Sequence, residues 1–309
     1  MSWLDRQSFL GPNSNEVLGA LTVGIVGLGG GGSHVAQQLA HVGVGGFIVV
    51  DPDSITDTNL NRLVGGARAD VAANAPKVDI AERVIKAVNP AARVIKRCCV
   101  WQAADDALKQ CDIVIAGLDN VRAKHELDAF TRRFMIPLID MGMDVHAVGG
   151  GSYLVAGQVI LTGPGEPCLQ CLGIVTAAGL TEEAANYGSV GGNPQVVWPN
   201  GVLASTAVGL FMQLVVPWNR RPITSAFLEY DGNRHTIAEA DVLRRRAGTR
   251  CPHYSTKDVG DPMFDIRKLA AAPVRPPEQP PVLKQPWWRR LLSQVRPRAR
   301  QVDGSDVVG

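Results

Sequence analysis

The residues with the clearest chemical potential lie between Gly27 and Asn120. Gly27-Leu28-Gly29-Gly30-Gly31-Gly32 satisfies G-x-G-x-x-G, a spacing that lets backbone N–H groups and a helix N-terminus receive phosphate oxygens when it joins a strand to a helix. Asp51 follows about twenty residues on, at the end of the next apolar run, where a carboxylate accepts hydrogen bonds from ribose hydroxyls. Together these imply an adenosine nucleotide and leave NAD and ATP undecided. The stretch Asp51-Pro-Asp-Ser-Ile-Thr-Asp-Thr-Asn-Leu-Asn-Arg62, followed by Lys77, separates them. Hydride transfer has no use for such a set. Adenylyl transfer passes through a pentavalent α-phosphate with pyrophosphate leaving, so it needs fixed cations and Mg²⁺ to absorb developing charge. Asn59, Arg62 and Lys77 suit that demand. Asp119, with Asn120 beside it, ends a further apolar run, where ligands bind in open α/β sheets, and could hold the metal.

These residues need a frame that brings strand ends together. Leu21–Val26 reads as an apolar strand, His34–His41 as a helix and Gly46–Val50 as a second strand, a βαβ unit that implies a parallel sheet. Val78–Val88 reads as a helix, and Ala92–Lys96, Asp112–Gly117 and Pro137–Asp140 as strands. Strands alternating with helices predict a doubly wound, Rossmann-like α/β domain with a mostly parallel sheet. Beyond Gly150 the pattern is less regular, with strands at Ser152–Leu161 and Ala226–Tyr230 and a helix at Gly201–Val215. Antiparallel strands extending the same sheet are expected there. Composition shifts near residue 266, which divides the chain into a core domain over 1–265 and a Pro- and Arg-rich tail over 266–309.

Bulk properties exclude several classes. Lysine plus arginine (31) nearly balance aspartate plus glutamate (29), so the net charge of +2 gives no global field for nucleic acid or an anionic membrane. No uncharged apolar run reaches the roughly 18 residues of a bilayer-spanning helix, and no signal segment precedes the first strand, so a cytoplasmic protein is expected. Six cysteines are too few for a disulfide scaffold in 309 residues, which turns attention to thiol or metal chemistry.

Over roughly residues 5–260 the sequence resembles the ThiF/MoeB/HesA superfamily, which includes the ubiquitin-activating enzymes. The resemblance implies an ATP-dependent adenylyltransferase that activates the C-terminal carboxylate of a ubiquitin-like protein or peptide, with Mg²⁺ as cofactor. It places the family's glycine loop on Gly27, Gly29, Gly30 and Gly32, and the ribose-binding acid on Asp51, with Asp53 repeating its second acidic position. The N-L-Q-R element corresponds to Asn59-Leu60-Asn61-Arg62, the phosphate-contacting lysine to Lys77 and the Mg²⁺-associated aspartate to Asp119. The family arginine that reaches into the partner subunit's site corresponds to Arg6 in Asp5-Arg6-Gln7, and homodimerisation follows from that role.

Cys168-Leu-Gln-Cys171 is a C-x-x-C knuckle whose mate should lie about eighty residues on. The family mate reads C-P-x-C, and here it is Cys251-Pro252-His253-Tyr254. His253 completes a Cys₃His zinc site, or water fills the gap, or the metal is lost. Such a zinc is structural. Cys98, Cys99 and Cys111 read as core residues. The crossover segment Leu172–Asn200 contains no cysteine, so the reaction is expected to stop at the acyl-adenylate and pass it to a conjugating or sulfur-transfer protein. An oxyester on Thr176, Thr181 or Ser189 lacks an identifiable base. The tail carries Trp287-Trp288-Arg289-Arg290-Leu291-Leu292, a patch suited to a partner, the domain itself or a membrane surface. The competing readings are an NAD-binding oxidoreductase and a catalytically silent scaffold that binds a ubiquitin-like partner.

Overall fold

Thr22–Val26 is buried at every residue, as a strand covered on both faces must be. It forms β1 in a computed structural model that describes residues 2–185, 194–216, 218–219, 221–246, 249–254 and 260. A 3₁₀ turn over Asp5–Leu10 and helix α1 (Ser14–Ala20) precede it. Then follow α2 (Gly30–His41), β2 (Gly46–Val50), α3 (Arg68–Ala72), α4 (Lys77–Val88), β3 (Arg93–Arg97), α5 (Asp105–Leu108), β4 (Ile113–Ala116), α6 (Val121–Arg133), β5 (Leu138–Gly149) and β6 (Ser152–Thr162). The remaining elements are α7 (Ala177–Ala185), α8 (Val197–Val215), β7 (Ala226–Asp231), β8 (Thr236–Glu239) and α9 (Asp241–Arg246).

One eight-stranded sheet results, in the order β3-β2-β1-β4-β5-β6-β7-β8. Pairings from β3 to β5 are parallel, and those from β5 to β8 antiparallel. The strand order reverses direction at β1, between β2 and β4, and the carboxyl ends of those strands open a crevice there, the place where open α/β sheets bind ligands. Two hydrophobic clusters flank the sheet. On one face α2, α4 and α8 contribute Val35, Leu39, Ile85 and Phe211. On the other, Trp101, Leu108, Leu127 and Phe130 pack over Ile160 and Phe227.

The strand expected at Pro137–Asp140 runs on to Gly149, because β6 pairs with it continuously from Leu138↔Thr162 to Ala147↔Tyr153. The polar residues Asp144 and His146 and the glycine at 142 disguise this length in the sequence: they fall on one face, while Met141, Met143 and Val145 fall on the other. The helix expected from Gly201 begins a turn earlier, at Val197. The tail over 266–309, its Trp287-Trp288 patch and Ser189 lie outside the described residues.

Candidate functional site

The turn between β1 and α2 is shaped by backbone approach. Gly27 has φ +85°, and a Cβ there would stand 2.8 Å from the carbonyl oxygen of Gly117. A Cβ on Gly32 would stand 1.9 Å from the Gly27 oxygen, so only glycine closes this turn. A Cβ on Gly30 would meet the carboxamide of Asn200 at 2.6 Å, which seats the start of α8 directly on the turn. Gly27, Gly29, Gly30 and Gly31 consequently present backbone to a cavity of about 1920 Å³. Gly32 is set behind them and is buried.

Asp51, Asp53, Asn59, Arg62, Lys77, Asp119 and Asn120 line the same cavity. The structure therefore gathers the glycine turn and the polar residues singled out downstream of it, with two exceptions. Gly32 supports the turn from behind, and Arg6, exposed in the 3₁₀ turn, is not among the cavity's lining residues.

The polar residues arrive partly engaged. Asp51 is buried, and its Oδ2 accepts from Leu28 N at 2.6 Å while Oδ1 accepts from Asp53 N at 2.9 Å. The carboxylate thus ties the glycine turn to the end of β2. Lys77 Nζ donates to Asp53 Oδ2 at 2.7 Å and lies 3.5 Å from Asp51 Oδ1. It is buried, so it holds a charge at the cavity wall with little entropy left to lose. Arg62 is half-buried and donates to Thr58 O at 2.7 Å and Asn61 Oδ1 at 3.0 Å, which folds the guanidinium back on its own loop. Asn59 Oδ1 accepts from Thr56 N at 3.0 Å, leaving its Nδ2 for another partner. Asp119 lies three residues past the end of β4 instead of on the strand. Asn120 caps α6, accepting from Ala123 N at 2.7 Å.

Sequence reasoning missed several cavity residues. Lys124 Nζ donates to both oxygens of Asp140, at 2.8 and 2.7 Å, and to Met141 O at 3.1 Å. Asp140 is 1% exposed, and burial raises its pKa while Lys124 lowers it. Of this pair only Lys124 lines the cavity, and the signal lay in its buried partner: Asp140 sits at the carboxyl end of an expected parallel strand. Gln158 had no such signal. It reaches the cavity from β6 and lies across Gly142, where a Cβ would stand 2.4 Å from its Nε2.

Away from the cavity, Cys168, Cys171, Cys251 and His253 come together, with all four donor atoms within 4.8 Å of one another. Cys168 and Cys171 Sγ are 3.6 Å apart, as are Cys171 and Cys251. His253 Nδ1 stands 3.3 Å from Cys168, 3.4 Å from Cys171 and 4.0 Å from Cys251. A tetrahedral zinc with bonds of about 2.3 Å to sulfur and about 2.0 Å to nitrogen has ligand edges of about 3.5–3.8 Å. The donor set fits zinc in type, with His253 in the fourth place. Four of its edges, at 3.3–3.6 Å, come near that range, while His253–Cys251 at 4.0 Å and an overall spread of up to 4.8 Å are wider than a bound ion would leave them. Asp128 braces the knuckle by accepting from Leu169 N at 2.8 Å and pairing with Arg132 at 2.7 Å. Of the other cysteines, Cys111 is buried, and desolvation and then the nearby Asp112 push its thiol up to about 12. Cys98 is exposed, which corrects its core assignment, while Cys99 is half-buried, packs against the second hydrophobic cluster and also lines the cavity. They follow β3, the edge strand, where one side lacks cover.

A doubly wound sheet with this glycine turn, a buried lysine and a carboxylate across the crevice defines a nucleotide-binding α/β protein. The chain belongs to the ThiF family, whose profile matches residues 4–253. It is 32% identical over 165 residues to the SAMP-activating enzyme E1 of Haloferax volcanii, covering 53% of this chain and 57% of that one. Identity to the molybdopterin-synthase adenylyltransferase of Escherichia coli is 30% over 164 residues, covering 52% and 61%. To the sulfur carrier protein adenylyltransferase of Thermus thermophilus it is 28%, covering 79% and 85%. The chain thus spans 57% and 61% of the first two relatives' lengths. Among solved structures, E. coli MccB with ATP superposes with a TM-score of 0.61 at 19% identity, covering 81% of this chain and 71% of that one, a likeness of fold. Among the described residues, no helix is long and apolar enough to cross a membrane.

Proposed function

We propose that this chain is an ATP-dependent adenylyltransferase that activates the C-terminal carboxylate of a ubiquitin-like protein or peptide. One observation carries the reading: Lys77, Arg62, Asn59 and Asp119 wall the cavity into which the glycine turn faces. A carboxylate oxygen attacks the α-phosphorus, the bond from that phosphorus to the bridging oxygen breaks, and pyrophosphate leaves with the electron pair. No general base is needed, because the carboxylate is already an anion. Asp51 receives ribose, the turn receives phosphate, and Lys77 and Arg62 exchange their present partners for phosphate oxygens. Asp119 fits a hard cation such as Mg²⁺, which when bound supplies charge neutralisation at the phosphates.

Substrate class follows from space. About 1920 Å³ exceeds the 300–1,000 Å³ of an ordinary small-ligand pocket. Beyond the nucleotide end the cavity is also lined by Gly142, Gln158 and Phe227 of β5, β6 and β7, and we assign this part to an extended chain terminus. The relatives are named for activating SAMP, a sulfur carrier and molybdopterin synthase, and MccB has been crystallised with the peptide MccA, which supports a carboxyl-terminal substrate. Arg6 acts on the cavity of a second copy in a homodimer, the four-donor knuckle carries a structural zinc, and the cytoplasm supplies ATP.

The test is exchange of labelled pyrophosphate into ATP. A β-grasp protein ending in Gly-Gly and a panel of peptides with free carboxylates form separate arms, each with its carboxamide-ended counterpart. Exchange that requires the free carboxylate is expected in at least one arm. Absence of exchange in all arms, together with tight NAD binding, would overturn the reading in favour of an oxidoreductase.

A further inference from the structure

Helix α6 begins two residues after Asp119, yet no acidic residue stands in its first turn. A helix start leaves its first N–H groups without intrahelical acceptors and carries partial positive charge. Here Ala123 N is taken by Asn120 Oδ1, while Val121 N and Arg122 N are both taken by one carboxylate from a distant segment. Glu183 Oε1 accepts from Val121 N at 3.1 Å and Oε2 from Arg122 N at 2.9 Å. Glu183 belongs to α7, in the crossover segment that follows the Cys168–Cys171 knuckle. That helix lies against α6 independently of Glu183: a Cβ on Gly179 would lie 3.7 Å from Val121 Cγ1. The crossover segment borders the cavity on the way, through Leu172, Gly173, Ile174 and Thr176.

We infer that Glu183 is a positioning residue for Asp119. The two amides it holds are the second and third after Asp119, so their bidentate anchoring sets where the Asp119 backbone leaves β4 and enters α6. Asn120 alone cannot do this, because its side chain is committed one residue later, at Ala123. The contact also joins the crossover segment to the metal side of the cavity. The crossover segment and the metal-binding aspartate are therefore held by the same pair of hydrogen bonds. The inference rests on the proposed assignment of Asp119 to Mg²⁺.

The measurement is ATP affinity by calorimetry, with Mg²⁺ and with EDTA, on the full chain. Wild-type protein is expected to bind ATP more tightly with Mg²⁺. In Glu183→Ala the Mg²⁺-dependent affinity should fall about tenfold, the size of effect seen when a group orienting a metal ligand is lost. Affinity in EDTA should stay within about twofold, since the glycine turn and Lys77 are untouched. Glu183→Gln, which keeps one acceptor oxygen and loses the charge, should fall between. Placing a carboxylate locally in the first turn, by adding Arg122→Asp to Glu183→Ala, should restore both the melting temperature and the Mg²⁺ effect. A merely structural cap would lower the melting temperature and leave the Mg²⁺ effect intact in both Glu183 variants, which overturns the inference. Equal losses with Mg²⁺ and with EDTA also overturn it, by placing Glu183 under the nucleotide at large. A wild-type protein that shows no Mg²⁺ effect sinks the adenylylation reading, a failure seen before any variant is made.

Discussion

The cavity's nucleotide end and its far end, beneath β5, β6 and β7, are assembled differently. At the nucleotide end the polar groups come from contiguous segments, and they are already bonded to one another: Asp51 to Leu28 and Asp53, Lys77 to Asp53, Arg62 to Thr58. The far end is drawn from β5, β6, β7 and the crossover segment, residues separated by most of the second half of the chain. The Gln158 side chain makes no hydrogen bond among the described residues, and Gly142 gives it room. One end is organised before ligand arrives, as a site that stabilises a fixed triphosphate must be. The other is a lined groove, to which the proposed function assigns a chain terminus.

If this division holds, substitutions at the two ends should move different kinetic parameters. The largest effect is expected for Lys77→Ala. Removing a preorganised charge that meets the developing negative charge typically costs about 10²–10³ in turnover, so pyrophosphate exchange should fall by that factor with the substrate's KM little changed. A fall confined to substrate KM would place Lys77 in the groove and dissolve the contrast. Next comes the knuckle. Cys251→Ser leaves Cys168, Cys171 and His253 to hold a cation, and loss of a structural metal belongs to the severe class of destabilisation, more than about 3 kcal/mol. Metal analysis should find about one zinc per wild-type chain and less in the variant, with a lower melting temperature and ATP affinity unchanged within about twofold. Reduced ATP affinity in step with stability would show that the knuckle and the nucleotide end are one cooperative unit.

The same contrast explains what was legible beforehand. A βαβ unit puts strand ends side by side by local rules, so Gly27–Gly32, Asp51 and Lys77 could be read from order and spacing, and the structure gathers them. The four-donor knuckle was legible as Cys168, Cys171 and Cys251, with His253 one of the alternatives for the fourth place, and the choice depended on how residues 85 positions apart in sequence meet. Gln158 and Glu183 had no local signature. Gln158 reaches the cavity only because β5 continues to Gly149 and pairs in a register that sets Gly142 opposite it. Glu183 caps a helix that begins 62 residues before it. Asn120 illustrates the reverse case: spacing marked it as a ligand, and the fold employs its side chain at the start of α6.

A smaller effect tests the groove. Gln158→Ala should raise the substrate's KM by about three- to tenfold, the worth of one hydrogen bond of about 1 kcal/mol, and leave KM for ATP alone. A change in ATP KM instead would move Gln158 to the nucleotide end.

The smallest effect tests how the nucleotide end is held. Asp70 accepts from Arg83 at 2.7 Å through each carboxylate oxygen and from Ala67 N at 2.8 Å, while Arg83 also donates to Gly65 O at 2.8 Å. These bonds fasten the loop that carries Asn59 and Arg62 onto α4. The Arg83 hydrogen bonds hold the Asp70 carboxyl below the usual carboxylate range, with burial opposing them. A depressed folded-state pKa contributes stability that is present above the unfolded value of about 3.9 and is lost as pH falls through the folded value. Because the Arg83 side chain is 54% exposed, solvent screening limits the contribution to about 1 kcal/mol. At neutral pH, Asp70→Asn should therefore be less stable than wild type by about that amount, and the gap should close as both are unfolded at progressively lower pH below about 4. A gap that stays constant into acid would assign the loss to packing of the loop, and the preorganisation of the Arg62 loop would then rest on the neutral bonds alone.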